Sequence, residues 1–227
     1  MCSEHSEAER WEDGSRDDAM RNSFVIPQIA RILAAYRSQT ILDIGAGTGY
    51  VARMVDASLD YRPRWTLVDV NAERLALAQT HRPPTMALEA VVGNVFDWPL
   101  GDRRFDAVVI TFTLLEIEDI DRLCTLLALH MDEGAILSLA MPDAWVDVLE
   151  YSQVEPAIVQ RYVVGPVAIS KRDKFTGEEY PFRAARIEDL LSRVLGAGFD
   201  LFELNHGRVG DASAFVLTLR RRAPSHG

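Results

Sequence analysis

The chain has 227 residues, 48% of them hydrophobic, which suffices for one large core and is short for two. Thirty-four acidic against 24 basic residues give a formal net charge of −10, which argues against nucleic acid or another polyanion as partner. Cys2 and Cys124 form neither metal-ligand nor disulfide spacing, and nothing resembles a signal peptide or an apolar stretch of membrane-spanning length, so the expectation is a cytoplasmic, metal-free protein.

Residues 1–22 are acid-rich, with Glu4, Glu7, Glu9, Glu12, Asp13, Asp17 and Asp18, and predict a mobile or weakly helical segment. Trp11 stands out there. It either docks over a cofactor cleft or anchors the segment to the outside of the domain. Ile26, Ile29, Ala30, Leu33 and Ala34 recur at helical spacing and predict a helix over 23–37. Strands follow at 40–44, 64–69, 88–92, 105–111 and 134–140, alternating with helices at 48–57, 72–80 and 119–130. That alternation implies right-handed crossovers and a parallel sheet covered on both faces. Cys124 falls in the apolar pattern of the last of these helices and reads as a core residue.

The stretch 142–185 is irregular and long, and reads as a small helical cap with a hairpin or loop over the carboxyl ends of the strands. Ile187, Leu190, Leu191 and Val194 give a further helix. Two strands at 199–204 and 214–219 close the domain, joined by a loop over 205–211. One domain over 23–222 is expected, with 223–227 as a tail and Arg220-Arg221-Arg222 as a solvated terminus.

The first strand ends Leu42-Asp43-Ile44-Gly45-Ala46-Gly47-Thr48-Gly49, a strand turning sharply into a helix with its backbone open to a ligand. The second ends Leu67-Val68-Asp69-Val70, and an Asp there can accept both hydroxyls of a ribose. The glycines follow G-x-G-x-G, whereas the dinucleotide fingerprint needs its third Gly where Tyr50 stands, which disfavours a nicotinamide oxidoreductase. Asp43 would repel a pyrophosphate but could hold an ammonium group. An adenosine-type ligand with a positively charged amino-acid tail fits this set.

These segments resemble the class I S-adenosylmethionine-dependent methyltransferases. Leu42 to Gly49 looks like their motif I, Val68-Asp69 like the ribose contact, Val92-Gly93-Asn94-Val95-Phe96-Asp97 like the adenine loop, and Phe105 to Ile110 and Asp132 to Leu137 like the fourth strand and the approach to the fifth. The resemblance implies a Rossmann-like, doubly wound, mostly parallel seven-stranded sheet with a C-terminal antiparallel hairpin strand and a small cap insertion. It implies S-adenosyl-L-methionine as cofactor, held by Asp43, Gly45, Ala46, Gly47, Asp69, Val70, Asn94, Val95 and Thr111. Asn94 departs from the Asp common at its position, although an amide oxygen can still accept from the adenine amine. The Val95 amide is the better contact for an adenine ring nitrogen.

Thr111-Phe112-Thr113-Leu114-Leu115-Glu116 lacks the Asn/Asp-Pro-Pro-Tyr/Phe signature of nucleobase amino-methylating enzymes and the acid arrangement of metal-dependent catechol enzymes. Glu116 is the acid near this strand end, with a helix-terminal role as the plainer reading. His5, His130, His206 and His226 are scattered candidate bases, and no residue stands out as catalytic. Tyr151, Tyr162 and Tyr180, with Trp145 and Phe175, are the expected acceptor-pocket residues of the cap. The expected activity is metal-independent methyl transfer to O or N of a small molecule. The alternatives are an inactive methyltransferase-like binding protein or a methyltransferase acting on protein or RNA. Oligomeric state is not legible.

Overall fold

The structure is a computed structural model that describes residues 5–172 and 179–223. A helix α1 (Glu7–Asp17) leads through a wide helical turn (Arg21–Val25) into α2 (Ile26–Tyr36). Strand and helix then alternate through β1 (Thr40–Ile44), α3 (Tyr50–Ser58), β2 (Arg64–Asp69), α4 (Ala72–Thr80), β3 (Ala87–Val92), β4 (Phe105–Thr111), α5 (Ile120–His130) and β5 (Met131–Pro142). The sheet order is β3-β2-β1-β4-β5-β9-β8, with β8 (Phe199–Val209) and β9 (Ala212–Arg221) closing one edge. All pairs from β3 to β5 are parallel, and β9 runs antiparallel to both neighbours. This is the expected doubly wound sheet.

Side chains alternate across each strand, so the two faces have separate cores. Ile41, Trp65, Leu67, Ala107 and Val109 pack under α2, α3 and α4. Leu42, Ile44, Val68, Val108 and Ile110 pack under α5 and α8 (Ile187–Gly196). Such an arrangement leaves the carboxyl ends of β1, β2, β4 and β5 as one rim.

Of the two readings of the N-terminal segment, residues 7–17 take the helical one: Ser6 caps α1 by accepting from Glu9 N–H at 3.2 Å while its own N–H donates to the Glu9 carboxylate at 2.7 Å, a reciprocal capping box. One expectation is corrected, since 205–211 is not a loop. β8 runs unbroken to Val209, pairing His206 with Phe215 and Arg208 with Ser213, so that only Gly210 and Asp211 turn the chain. Polar residues are ordinary on an edge strand, which is why this half of the hairpin looks like a loop in sequence.

Above the rim the chain builds α6 (Ala144–Tyr151), α7 (Ile158–Val164) and the hairpin β6 (Val167–Arg172) and β7 (Glu179–Ala184). Ala144, Val148, Ile158, Tyr162, Val167, Ile169, Phe182 and Ala184 give this cap a core of its own.

Candidate cofactor and acceptor sites

The turn after β1 is made by backbone that side chains could not follow. Gly45 has φ of 70° and a Cβ there would overlap the Thr113 side chain, while Gly47 has φ of 54°. Asp69 organises this turn, accepting Gly47 N–H at 2.7 Å on one oxygen and Asn71 N–H at 2.8 Å on the other. Each carboxylate oxygen has a further lone pair, so the group is held in place with acceptor capacity left for a diol. Asn71, not Asp69, caps α4, accepting Arg74 N–H at 3.1 Å. Val70 follows as an apolar side chain left 72% exposed.

Asp43 lies below the turn, fully enclosed, and neither carboxylate oxygen has a hydrogen-bond partner. Burial, with the Asp69 charge adding to it, pushes its pKa up to about 7. An enclosed, unpaired acid is costly in isolation, and a cationic ligand group nearby would offset that cost. The residues present therefore fit a cofactor that carries an ammonium group and a ribose.

Ala46 donates its N–H to Val68 O at 3.1 Å, keeping the turn flat against β2. Thr111 ends β4, and Phe112 after it adopts φ of 60°, with its N–H on Ala140 O at 2.8 Å. A bulky residue in the left-handed region is a strained position of the kind that clusters at functional sites. The strain turns Thr113 back onto Gly45, where its hydroxyl donates to Gly45 O at 3.2 Å. Beyond β3, Val95 is buried in the α5 and α8 core, so its backbone alone can face a ligand. The Asn94 amide oxygen accepts Phe96 N–H at 3.0 Å, closing a local turn and leaving one lone pair for a further donor.

Helix α1 covers this groove, and composition had hidden that role. Trp11 sits on the glycine turn, its Nε1 3.3 Å from where a Gly47 Cβ would stand, and the Arg74 guanidinium stacks on its ring at 3.8 Å. Of the two readings of Trp11, the structure takes the one over the cleft. Glu7 pairs with Arg74 at 2.5 Å and Glu12 with Arg53 at 2.6 Å, both partners of the second pair being buried. Burial alone would raise the Glu12 carboxyl, but the neighbouring Thr48 hydroxyl and the Arg53 and Arg16 charges hold it below its ordinary value. In sequence Glu12 is one acid among many; only its burial sets it apart.

Glu116 ends the short turn Leu114–Glu116 after β4. Its side chain is exposed, yet partial desolvation raises its carboxyl, with Arg74 opposing the rise and Asp69 adding to it. His206 Nε2 lies 3.1 Å from Asp143 and 2.7 Å from Ser213, and its ring stacks on Phe215 at 4.5 Å, two strands beyond β5. His130 faces Arg103 O at 3.0 Å on the far side of α5. His5 is exposed near the N-terminus, and His226 lies outside the described residues. No cluster of three or more His, Cys, Asp or Glu suited to a metal ion exists among the described residues.

The cap tyrosines need correction. Tyr162 is 2% exposed, donates to Ala185 O at 3.3 Å and packs edge-on against Trp145 at 4.9 Å; burial pushes its hydroxyl up to about 12. Tyr151 packs against the same core. Ala144, Val148 and Tyr151, and Ile158 and Tyr162, repeat at helical spacing, so they are the inner faces of α6 and α7 rather than walls of a pocket. Tyr180 pairs with Lys171 in the β6–β7 hairpin, but its side chain, like Phe175, lies outside the described residues. A cavity of about 460 Å³ does lie beside the rim, between the cap and α8. Leu114, Leu115, Ile120, Met141 and Leu190 form its apolar wall, and Arg183, Asp189 and Arg193 stand around it.

Residues 41–134 match the family described as "Methyltransferase domain". The chain is 27% identical over 135 residues to the O-methyltransferase rstn1 of Aspergillus nomiae, covering 57% of this chain and 59% of that protein. It is 31% identical over 150 residues to the ubiquinone/menaquinone biosynthesis C-methyltransferase UbiE of Sinorhizobium fredii, covering 63% and 54%. The chain thus spans between half and two thirds of the length of these curated relatives. Among solved structures, magnesium protoporphyrin IX methyltransferase of Synechocystis with bound S-adenosylhomocysteine superposes with a TM-score of 0.69 at 13% identity, over 93% of this chain and 92% of that one. An S-adenosylmethionine-dependent methyltransferase structure from Listeria monocytogenes gives 0.67 at 12% identity, over 87% and 97%. These likenesses carry the fold.

Proposed function

We propose that this chain, whose residues 41–134 match the family described as "Methyltransferase domain", is a class I methyltransferase that moves the methyl group of S-adenosylmethionine to an oxygen or nitrogen of a small molecule, without a metal. The observation that carries the reading is the Gly45–Gly47 turn held by Asp69 over an enclosed, unpaired Asp43. That set fits a ribose and an ammonium group on one ligand. The cofactor, when bound, supplies a methyl already activated by a sulfonium. What remains for the chain is to fix the donor, exclude water and bring an acceptor atom into line, work in which orientation supplies most of the acceleration.

Asp69 and the Val70 face orient the nucleoside end, Asp43 the amino-acid end. Trp11 and α1 keep water from the turn. Thr113 joins the two sites, touching Gly45 on one side while its chain neighbours Leu114 and Leu115 line the cavity on the other. Where the acceptor must lose a proton, Glu116 is the acid in the cleft with a raised pKa suited to take it. The test is incubation with methyl-labelled S-adenosylmethionine and a panel of small hydroxyl and amine compounds, with a chelator present. Label on a panel compound, unchanged by chelation, is expected. Label only on carbon, only on protein or RNA, or only after Mg²⁺ is restored contradicts it.

A further inference from the structure

We propose that the cavity between the cap and α8 is the acceptor site and that it takes an amphipathic monoanion, with an apolar body against Leu114, Leu115, Met141 and Leu190 and a carboxylate on Arg183; this rests on the methyl-transfer reading. The cavity, at about 460 Å³, has the size of a small-molecule site and a mostly apolar wall with a few polar groups. Three charged residues stand around it, and two are already neutralised. Arg186 holds Asp189 through both oxygens, at 2.6 and 3.1 Å, and Asp121 pairs with Arg193 at 2.5 Å.

Arg183 is different. Among the described residues it makes a long 3.5 Å approach to the Glu118 carbonyl and pairs with no carboxylate. Strand alternation explains the placement, because Phe182 and Ala184 point into the cap core and Arg183 therefore points out of it, toward the cavity. A guanidinium without a carboxylate partner among the described residues, beside an apolar cavity, is an anion contact. Two parallel N–H donors suit a carboxylate.

The carboxylate is a handle and not the methylated atom, since a guanidinium that neutralises it also weakens it as a nucleophile. The acceptor atom is a hydroxyl oxygen or amine nitrogen at the other end, nearest Leu114, whose neighbour Thr113 touches the donor turn. Its lone pair forms the new bond to carbon while the carbon–sulfur pair stays on sulfur, and the acceptor's proton passes to the Glu116 carboxylate.

The test compares 4-phenylbutyrate with its neutral amide, titrated against the full chain with and without S-adenosylhomocysteine. The acid should bind about tenfold more tightly than the amide, as expected for one charge-assisted pair. Arg183→Gln should erase that advantage, and Arg183→Lys should keep part of it. Ser192→Trp, at an exposed position of the cavity wall, should weaken acid and amide alike and so locate both. Equal affinity of acid and amide, an acid preference that survives Arg183→Gln, or no binding of the acid at millimolar concentration overturns the proposal. S-adenosylhomocysteine affinity, read in the same samples, should stay unchanged in all three variants. Failure of the wild type to bind it overturns the donor reading instead.

Discussion

Two covers lie over the same rim of strand ends, and they are attached by opposite means. The cap of α6, α7 and the β6–β7 hairpin has its own apolar core of eight buried residues. Helix α1 buries one apolar side chain, Ala8, and is held by the Glu12–Arg53 and Glu7–Arg74 pairs and by Trp11 on the glycine turn. Apolar packing is non-directional and tolerant, whereas a buried ion pair is strongly destabilising once one partner is lost. The cap is thus held by apolar packing and α1 by charge pairs and one indole, so a single charge change should loosen α1 and leave the cap in place.

The largest expected effect is at the turn that α1 covers. Gly45→Val places a branched side chain on Thr113 at φ of 70°, and S-adenosylhomocysteine affinity should fall by more than about a hundredfold while the circular dichroism stays that of a folded protein. Binding within tenfold of the wild type would remove the turn from the site.

Next is the clasp. Glu12→Gln leaves Arg53 buried without its counter-charge, a defect on the order of 3–5 kcal/mol that the molecule can escape by letting α1 go. Hydrogen exchange should show protection lost over 7–17 and kept over 40–44. Loss spread over the sheet would mean that α1 is part of the core and the contrast between the covers is wrong.

A smaller effect follows from Asp43. Its carboxyl holds a proton more tightly when folded than unfolded, so it supports folding below its ordinary value of 3.8 and loses that support as pH rises toward about 7. Asp43→Asn carries no such charge. The thermal midpoint of the variant relative to the wild type should rise between pH 4 and pH 8 in the absence of ligand; a constant difference would show that the acid is solvated.

The smallest is in the cap. Tyr162→Phe removes one long hydrogen bond from a packed core, costing about 0.5–1.5 kcal/mol in denaturant titration, with S-adenosylhomocysteine affinity unchanged. A change in that affinity would tie the cap's interior to the donor groove.

The same division decides what was legible in the sequence. The donor side is written in backbone demands: positive φ at Gly45 and Gly47 and an acid at a strand end restrict residue types, so Asp43 and Asp69 could be named from their positions. The acceptor side is written in packing. Tyr151 and Tyr162 look like pocket residues until their helical spacing with Val148 and Ile158 shows them facing inward. Arg183 has no motif at all, and strand alternation beside Phe182 is its only signal. Glu12 was concealed by an acid-rich composition that resembles a free tail, although Trp11 stands out within it and Ser6 and Glu9 already spell a capping box.

The central claim is that the groove between Gly47 and Asp69 holds the donor's ribose. Calorimetric titration of S-adenosylhomocysteine into the wild type and Asp69→Ala, side by side, tests it most directly. The account predicts a loss of about 1.5–3 kcal/mol in the variant, the scale of hydrogen bonds to a charged group, with the fold retained. Equal affinity in a folded Asp69→Ala would contradict it.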